Sequence, residues 1–316
     1  MKLPDLRIGH LQPKYPIIQG GMAVRVSTAP LVGAVAAAGG IGLIGATAMS
    51  MPELREEIKK SREIAKGGIV GINIMYAATG FSDAVHTAID EGIDVIFTGA
   101  GFSRDIFKWG KKNGVPIVSI VSSAKAARIA EKYGASAVVA EGVEAGGHLG
   151  TMQSVKEIVP EIKEVVDVPV IAAGGVVSGY DMAELIRLGA SGVQIATRFV
   201  LSHECAVADE FKEMYLNAKE EDVVIIRSPV GFPGRAIRNE FVKLIEKQKA
   251  PKPDSCTKCL KKCSKEYCIV KALNNSKDGK IDEGIVFSGK NVFKIKDILH
   301  VDEIFDKLLS EYRLVE

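Results

Sequence analysis

A chain of 316 residues, 47% of them hydrophobic, is long enough to bury a full core as one large α/β barrel with a small appendage or as two ordinary domains. Its 41 basic and 39 acidic residues leave a formal charge of +2, so no overall field favours nucleic acid or an anionic membrane, and small molecules are the expected partners. Residues 29–49 carry no charge, but five glycines and a proline divide the run into helix, turn and strand, which argues against a membrane span.

The first fifteen residues hold scattered charges and no apolar signal run, so a cytoplasmic protein is expected. From there to about residue 215, short β-branched runs alternate with amphipathic stretches, the pattern of βα units around a parallel sheet. Strands are expected at Ile17–Gln19, Gly42–Ile44, Val70–Asn73, Val95–Phe97, Ile117–Ile120, Ala137–Val139, Val170–Ala172 and Val193–Ile195. Eight such strands close a TIM (β/α)8 barrel. An internal echo favours the barrel over a doubly wound sheet: Pro116-Ile117-Val118 leads through a helix to Gly134-Ala135-Ser136, and Pro169-Val170-Ile171 leads likewise to Gly189-Ala190-Ser191. The predicted organisation is a barrel over 1–220, a Pro/Gly-rich lid loop, helix and linker over 221–253, and a cysteine-containing appendage over 254–316. The last ends in an amphipathic helix, Val301–Tyr312.

The loops after these strands hold the candidate chemistry. Gln19-Gly20-Gly21-Met22 follows the first strand and Asn73 ends the third, bringing backbone and amide groups to the rim. After the sixth comes Glu141-Gly142-Val143-Glu144-Ala145-Gly146-Gly147-His148-Leu149-Gly150. Paired glycines there let the backbone approach a flat ligand, which makes His148 the leading catalytic candidate. The seventh and eighth strands lead into Gly174-Gly175 and Gln194-Ile195-Ala196-Thr197, where barrel folds present free N–H groups and a helix N-terminus to a phosphate. No G-x-G-x-x-G or Walker pattern is present. One phosphate site, one barrel mouth and one loop suited to a planar ligand suggest flavin mononucleotide. Further on, Ser228–Arg238 carries Arg235 and Arg238 and is expected to fold over the mouth, its arginines either attracting an anion or standing as solvated surface charges.

Four cysteines, Cys256, Cys259, Cys263 and Cys268, are spaced closely enough to hold zinc or an iron–sulfur cluster, with free or redox-paired thiols as the alternative. Cys205 stands apart. His10, His86, His203 and His300 have no second ligand at metal spacing and are expected to be structural. Ser122-Ser123 is more simply a helix cap than a substrate contact.

Together Pro16–Met22, Gly71-Ile72-Asn73, Ala145–Gly150, Ala172–Gly175 and Gln194–Phe199 resemble the nitronate monooxygenase (2-nitropropane dioxygenase) family and its relatives, the FMN-dependent enoyl-acyl-carrier-protein reductases. The resemblance covers roughly residues 13–240. It implies a TIM barrel with noncovalent FMN and His148 as the catalytic histidine. Met22, Asn73, Gly174, Gly175, Gln194 and Thr197 fall on flavin-contacting positions, and Gly21, Glu141, Gly147 and Ala196 complete the expected cofactor set. Two departures stand out: Ala196 replaces a glycine common in the phosphate loop, and Glu141 replaces a glutamine common among nitronate-oxidising members. The implied activity is oxidation of alkyl nitronates with O2. The alternatives are an NAD(P)H-dependent enoyl-thioester reductase, with an acyl carrier as partner, and a flavin/metal electron carrier. A homodimer is an allowed assembly.

Overall fold

The computed structural model describes residues 2–101 and 103–315. Its first two thirds run β1 (Ile17–Gln19), α1 (Ala29–Ala37), β2 (Ile41–Gly45), α2 (Met51–Ala65), β3 (Ile69–Met75), α3 (Phe81–Asp90), β4 (Val95–Gly99) and α4 (Asp105–Asn113). They continue with β5 (Ile117–Val121), α5 (Ala124–Lys132), β6 (Ala137–Glu141), β7 (Gly147–His148), α6 (Val155–Lys163), β8 (Val170–Ala173), α7 (Gly179–Arg187), β9 (Gly192–Ile195), α8 (Thr197–Val200) and α9 (Asp209–Asn217). Strands β1 to β6, β8 and β9 close a parallel TIM barrel, with β9 returning to β1 through Ile17↔Val193. Each of the eight strands expected from the sequence lies within one of these.

Period-two alternation explains the closure. Ile18, Leu43, Phe97, Val118, Val139 and Ile171 fill the barrel interior, with Leu6 and Ile8 in the same cluster. Their neighbours Ile17, Ile44, Ile96, Val138, Val170 and Val193 face the helical ring. Both faces are buried, so the strands read as continuous apolar runs. Helix starts follow local chemistry: Ser50 with Glu53, Ser154 with Glu157 and Ser178 with Asp181 form capping boxes for α2, α6 and α7. Ser123 accepts from Ala126 N and caps α5, which is the simpler of its two expected roles.

Beyond α9 the chain builds a second core on the barrel mouth. β10 (Val223–Ile226), β11 (Gly234–Ile237), α10 (Glu240–Glu246), α11 (Ile269–Lys277) and β12 (Val286–Phe287) share a cluster containing Ile226, Phe241, Val242, Tyr267, Ile269 and Ile285. These residues come from both sides of the Lys249–Pro253 stretch. α12 (Val301–Leu314) then packs on α7 and α1, two residues longer than expected. The buried Arg198 guanidinium pairs with Asp297 and also donates to the Asp297 and Leu201 carbonyls, tying this return to the barrel.

Two expectations are corrected here. Ser228–Arg238 does cover the mouth, with Ser228 on His148 and Val230 on the cavity, but as a turn between β10 and β11, which pair from Val223↔Ile237 to Ile226↔Gly234, and not as an irregular anion-attracting loop. Arg235 is buried and donates to the Val143 carbonyl at 2.7 Å, while Arg238 pairs with Glu246 at 2.8 Å, so both guanidinium groups already have protein partners. Nor do the four cysteines support zinc or an iron–sulfur cluster. Cys256 is exposed, the other three are partly buried, all are free thiols, and no three His, Cys, Asp or Glu side chains gather around a metal position among the described residues. The cysteine segment is held by the rest of the protein: Thr79 N donates to Cys259 O, Lys261 N to Ala77 O and Ser264 N to Pro229 O, and buried Tyr267 packs edge-on against Phe241. No described helix is long and apolar enough to cross a membrane.

Candidate active site

β7 decides the site. After β6 the chain leaves the barrel, and Gly147 and His148 pair antiparallel with Arg235 and Gly234 of β11, so the histidine sits where the second unit meets the mouth. Its Nε2 lies 2.7 Å from Ser228 Oγ, and its ring meets Phe287 edge to face at 5.1 Å. Burial pushes the imidazole down to about 4, so the ring is neutral near pH 7. Nδ1 makes no hydrogen bond to a described residue and is left for a ligand.

At the opposite rim Asn73 Nδ2 donates to Gly21 O at 3.1 Å. The approach is close enough that a Cβ on Gly21 would lie 2.4 Å from Asn73 Cβ, so only glycine fits. Buried Gln19 organises the same loop, donating to Ser27 Oγ at 2.8 Å and accepting from Leu43 N, while Ser27 Oγ also takes the Met22 N–H.

The phosphate-type loops form a recess lined by Gly174, Gly175, Gln194, Ala196 and Thr197. Gly174 has φ +115°, and a Cβ there would sit 2.9 Å from Ala145 N. The recess has a wall that sequence reasoning missed, supplied by Ser288–Asn291: Gly289 N donates to Thr197 Oγ1 at 2.8 Å and Asn291 Nδ2 to Gly175 O at 2.6 Å. Glu144 is turned away, its carboxylate accepting from Ser154 Oγ and Val155 N.

Beside the recess opens an apolar cavity of about 260 Å³ running from Met22, Asn73 and His148 outward to Leu260, Ile269 and Phe287 of the second unit. Glu141 lines both spaces, and burial alone raises its carboxyl to about 7. All the sequence-predicted barrel residues therefore surround one mouth: Gly21, Met22, Asn73, Gly147 and His148 on the cavity, Gly174 and Gly175 in the recess, and Glu141, Gln194, Ala196 and Thr197 on both. Cys259 reaches the outer cavity wall, whereas Cys256, Cys263 and Cys268 are not on it.

Phe287 and Ser288–Asn291 could not be placed at the site from sequence, because they reach it only through pairing between β11 and β12, and Ser228, expected over the mouth, gave no sign there that it would bond His148. Ser228→Ala is expected to slow turnover about tenfold, the worth of one hydrogen bond of about 1.4 kcal/mol, without releasing any bound cofactor. Steady-state kinetics alongside cofactor content checks this; unchanged kinetics would remove Ser228 from the site.

Comparison with known proteins fits this architecture. The nitronate monooxygenase family profile matches residues 6–88 and 62–311. A probable nitronate monooxygenase of Staphylococcus aureus (strain Newman) is 32% identical over 292 residues, covering 77% of this chain and 81% of that protein. The (3aS,4S,5R,7aS)-5-hydroxy-7a-methyl-1-oxo-octahydro-1H-indene-4-carboxyl-CoA dehydrogenase of Mycobacterium tuberculosis is 33% identical over 236 residues, covering 74% of the chain but 66% of that protein. The chain thus spans just under two thirds of the length of that relative. Among solved structures, FabK from Thermotoga maritima superposes with a TM-score of 0.87 at 33% identity over 95% of this chain and 93% of that one. The nitroalkane oxidase of Streptomyces ansochromogenes, at 22% identity and a TM-score of 0.83 over 95% and 96% of the two chains, shares the fold. With the profile spanning barrel and second unit alike, this chain belongs to the nitronate monooxygenase family of oxidoreductases.

Proposed function

We propose that the protein is an FMN-dependent oxidoreductase that reduces the double bond of an enoyl thioester at the expense of NAD(P)H. The observation that carries the substrate class is the cavity beyond His148. Its outer walls are Val230, Leu260, Ile269, Leu273, Ile285 and Phe287, an apolar lining suited to an acyl chain. The Mycobacterium tuberculosis relative, named for a carboxyl-CoA, supports a thioester as well.

The residues present fit FMN. Gln194 Oε1 and Ser288 Oγ are buried at the mouth with no hydrogen-bond partner among the described residues, an arrangement that costs about 1–3 kcal/mol per group until a ligand satisfies it. Gly174, Gly175, Ala196 and Thr197, with Gly289 and Asn291 behind them, would hold the phosphate. Gln194, Ser288, Asn73, Met22, Gly21 and Gly147 would flank the rest of the cofactor. When bound, FMN supplies the two-electron exchange. The chain itself excludes water with the second unit and orients the substrate with His148, whose ring Ser228 fixes.

Nitronate oxidation is the second reading, favoured by the family profile and the Staphylococcus aureus relative. The purified protein is expected to be yellow and to release FMN on heating, identified by mass. FMN at about one hundred times its Kd adds about 2.7 kcal/mol to stability. Anaerobically, NADH or NADPH should bleach the flavin and crotonyl-CoA restore its colour. Bleaching by propionate 3-nitronate without a nicotinamide, and no response to crotonyl-CoA, would install the nitronate reading instead.

A further inference from the structure

We propose that Glu141 gives the substrate its proton, and that His148 remains a neutral group that orients it. The inference rests on the enoyl-thioester reading above. Glu141 ends β6 at the C-terminal rim of the barrel, at the junction of the recess and the cavity, and borders both. Its carboxyl has no hydrogen bond or ion pair among the described residues, although protein surrounds it.

The charges nearby are directed elsewhere. Glu144 binds Ser154 and Val155 N, and Arg235 binds Val143 O. The flanking strands β5 and β8 carry no titratable side chain, and the outer helices α5 and α6 present Lys125, Arg128, Lys156 and Glu157 to solvent. On the cavity wall itself the remaining titratable groups are His148, Tyr215 and Cys259. The Tyr215 hydroxyl donates to Phe287 O, and burial raises the Cys259 thiol, so none supplies a charge to Glu141. An isolated carboxyl in such a wall keeps its proton, and burial raises it to about 7. The same burial lowers His148 to about 4. Two titratable groups pushed apart in one cavity divide the roles, the carboxylic acid as donor and the imidazole as a neutral hydrogen-bonding group.

With FMN bound, the two electrons of NAD(P)H would reach the substrate β-carbon as a hydride, and Glu141 supplies the matching proton: its O–H bond breaks as the new C–H bond forms at the α-carbon. The carboxylate then recovers a proton from water. Each saturated thioester formed consumes one NAD(P)H and one proton.

The test uses the flavin-loaded protein, photoreduced anaerobically and mixed with crotonyl-CoA across pH, with rates taken per bound flavin. The wild-type rate is expected to fall by about tenfold per unit as pH rises above about 7. Glu141→Gln, which keeps the shape but has no proton to give, should be slower by about 10² to 10⁴ at low pH and should lose this dependence. A limb near 7 that survives in Glu141→Gln overturns the proposal. A second readout is independent of substrate: infrared difference spectra should show a protonated carboxyl band at about pH 6 that vanishes by about pH 8.5 and is missing in Glu141→Gln. If wild-type flavin never reoxidises with crotonyl-CoA, the thioester reading fails, and the infrared band alone decides. A titrating band keeps Glu141 as the proton holder for another substrate; no band ends the proposal.

Discussion

His148→Ala is expected to keep its flavin and lose about 10² to 10³ in turnover, the usual cost of removing one preorganised hydrogen-bonding group from a reacting centre. The structure gives the reason for both halves. The ring stands on β7, outside the recess lined by Gly174 and Gly175, and its free Nδ1 is available to a ligand in the cavity. Because Ser228 touches the site through the imidazole, the two substitutions should not add: Ser228→Ala should cost about tenfold in the native protein and almost nothing once His148 is gone. Stopped-flow rates for the four proteins of this cycle measure the coupling. Full additivity would mean that Ser228 acts on its own, and loss of flavin from His148→Ala with normal activity per bound flavin would make the histidine structural.

A second large effect is expected at the recess. Gly174→Val forces a β-branched residue to φ +115° and brings its Cβ to within 2.9 Å of Ala145 N, backbone that cannot swing aside as a side chain would. A strained conformation of this kind costs about 1–3 kcal/mol, and moving the loop to relieve it would withdraw the N–H groups proposed to hold the phosphate. FMN affinity should fall by about a hundredfold, about 2.7 kcal/mol, while the barrel stays folded by circular dichroism. Titration of apo-protein by flavin fluorescence quenching reads the constant. An unchanged Kd would show that the phosphate does not bind there.

The barrel was legible because its signals are local. Strands buried on both faces must be apolar throughout, so Ile41–Gly45 and Val170–Ala173 announce themselves, and Ser-x-x-Glu or Ser-x-x-Asp starts a helix through contacts within four residues. In a parallel barrel the loops after the strands converge on one end, so a count of strands already brought Asn73, His148, Gly174 and Thr197 together.

Past residue 220 the same reasoning reached the last helix, Val301–Leu314, but not the sheet before it. Gly234–Ile237 reads as a loop because it is short and glycine-led, yet it becomes a strand through partners drawn from 147–148, 223–226 and 286–287. Spacing alone suggested a metal for the cysteines, but their segment is held by Ala77, Thr79 and Pro229, contacts that no spacing encodes. The sequence by itself determined the barrel and the end at which the loops carrying Asn73, His148, Gly174 and Thr197 gather. Tertiary structure alone decided that Ser228 holds that histidine, that Ser288–Asn291 walls the recess, and that Glu141 stands without a partner. Each of these depends on which distant backbone fills the space beside a side chain, and desolvation, unlike strand periodicity, is set by the whole enclosure.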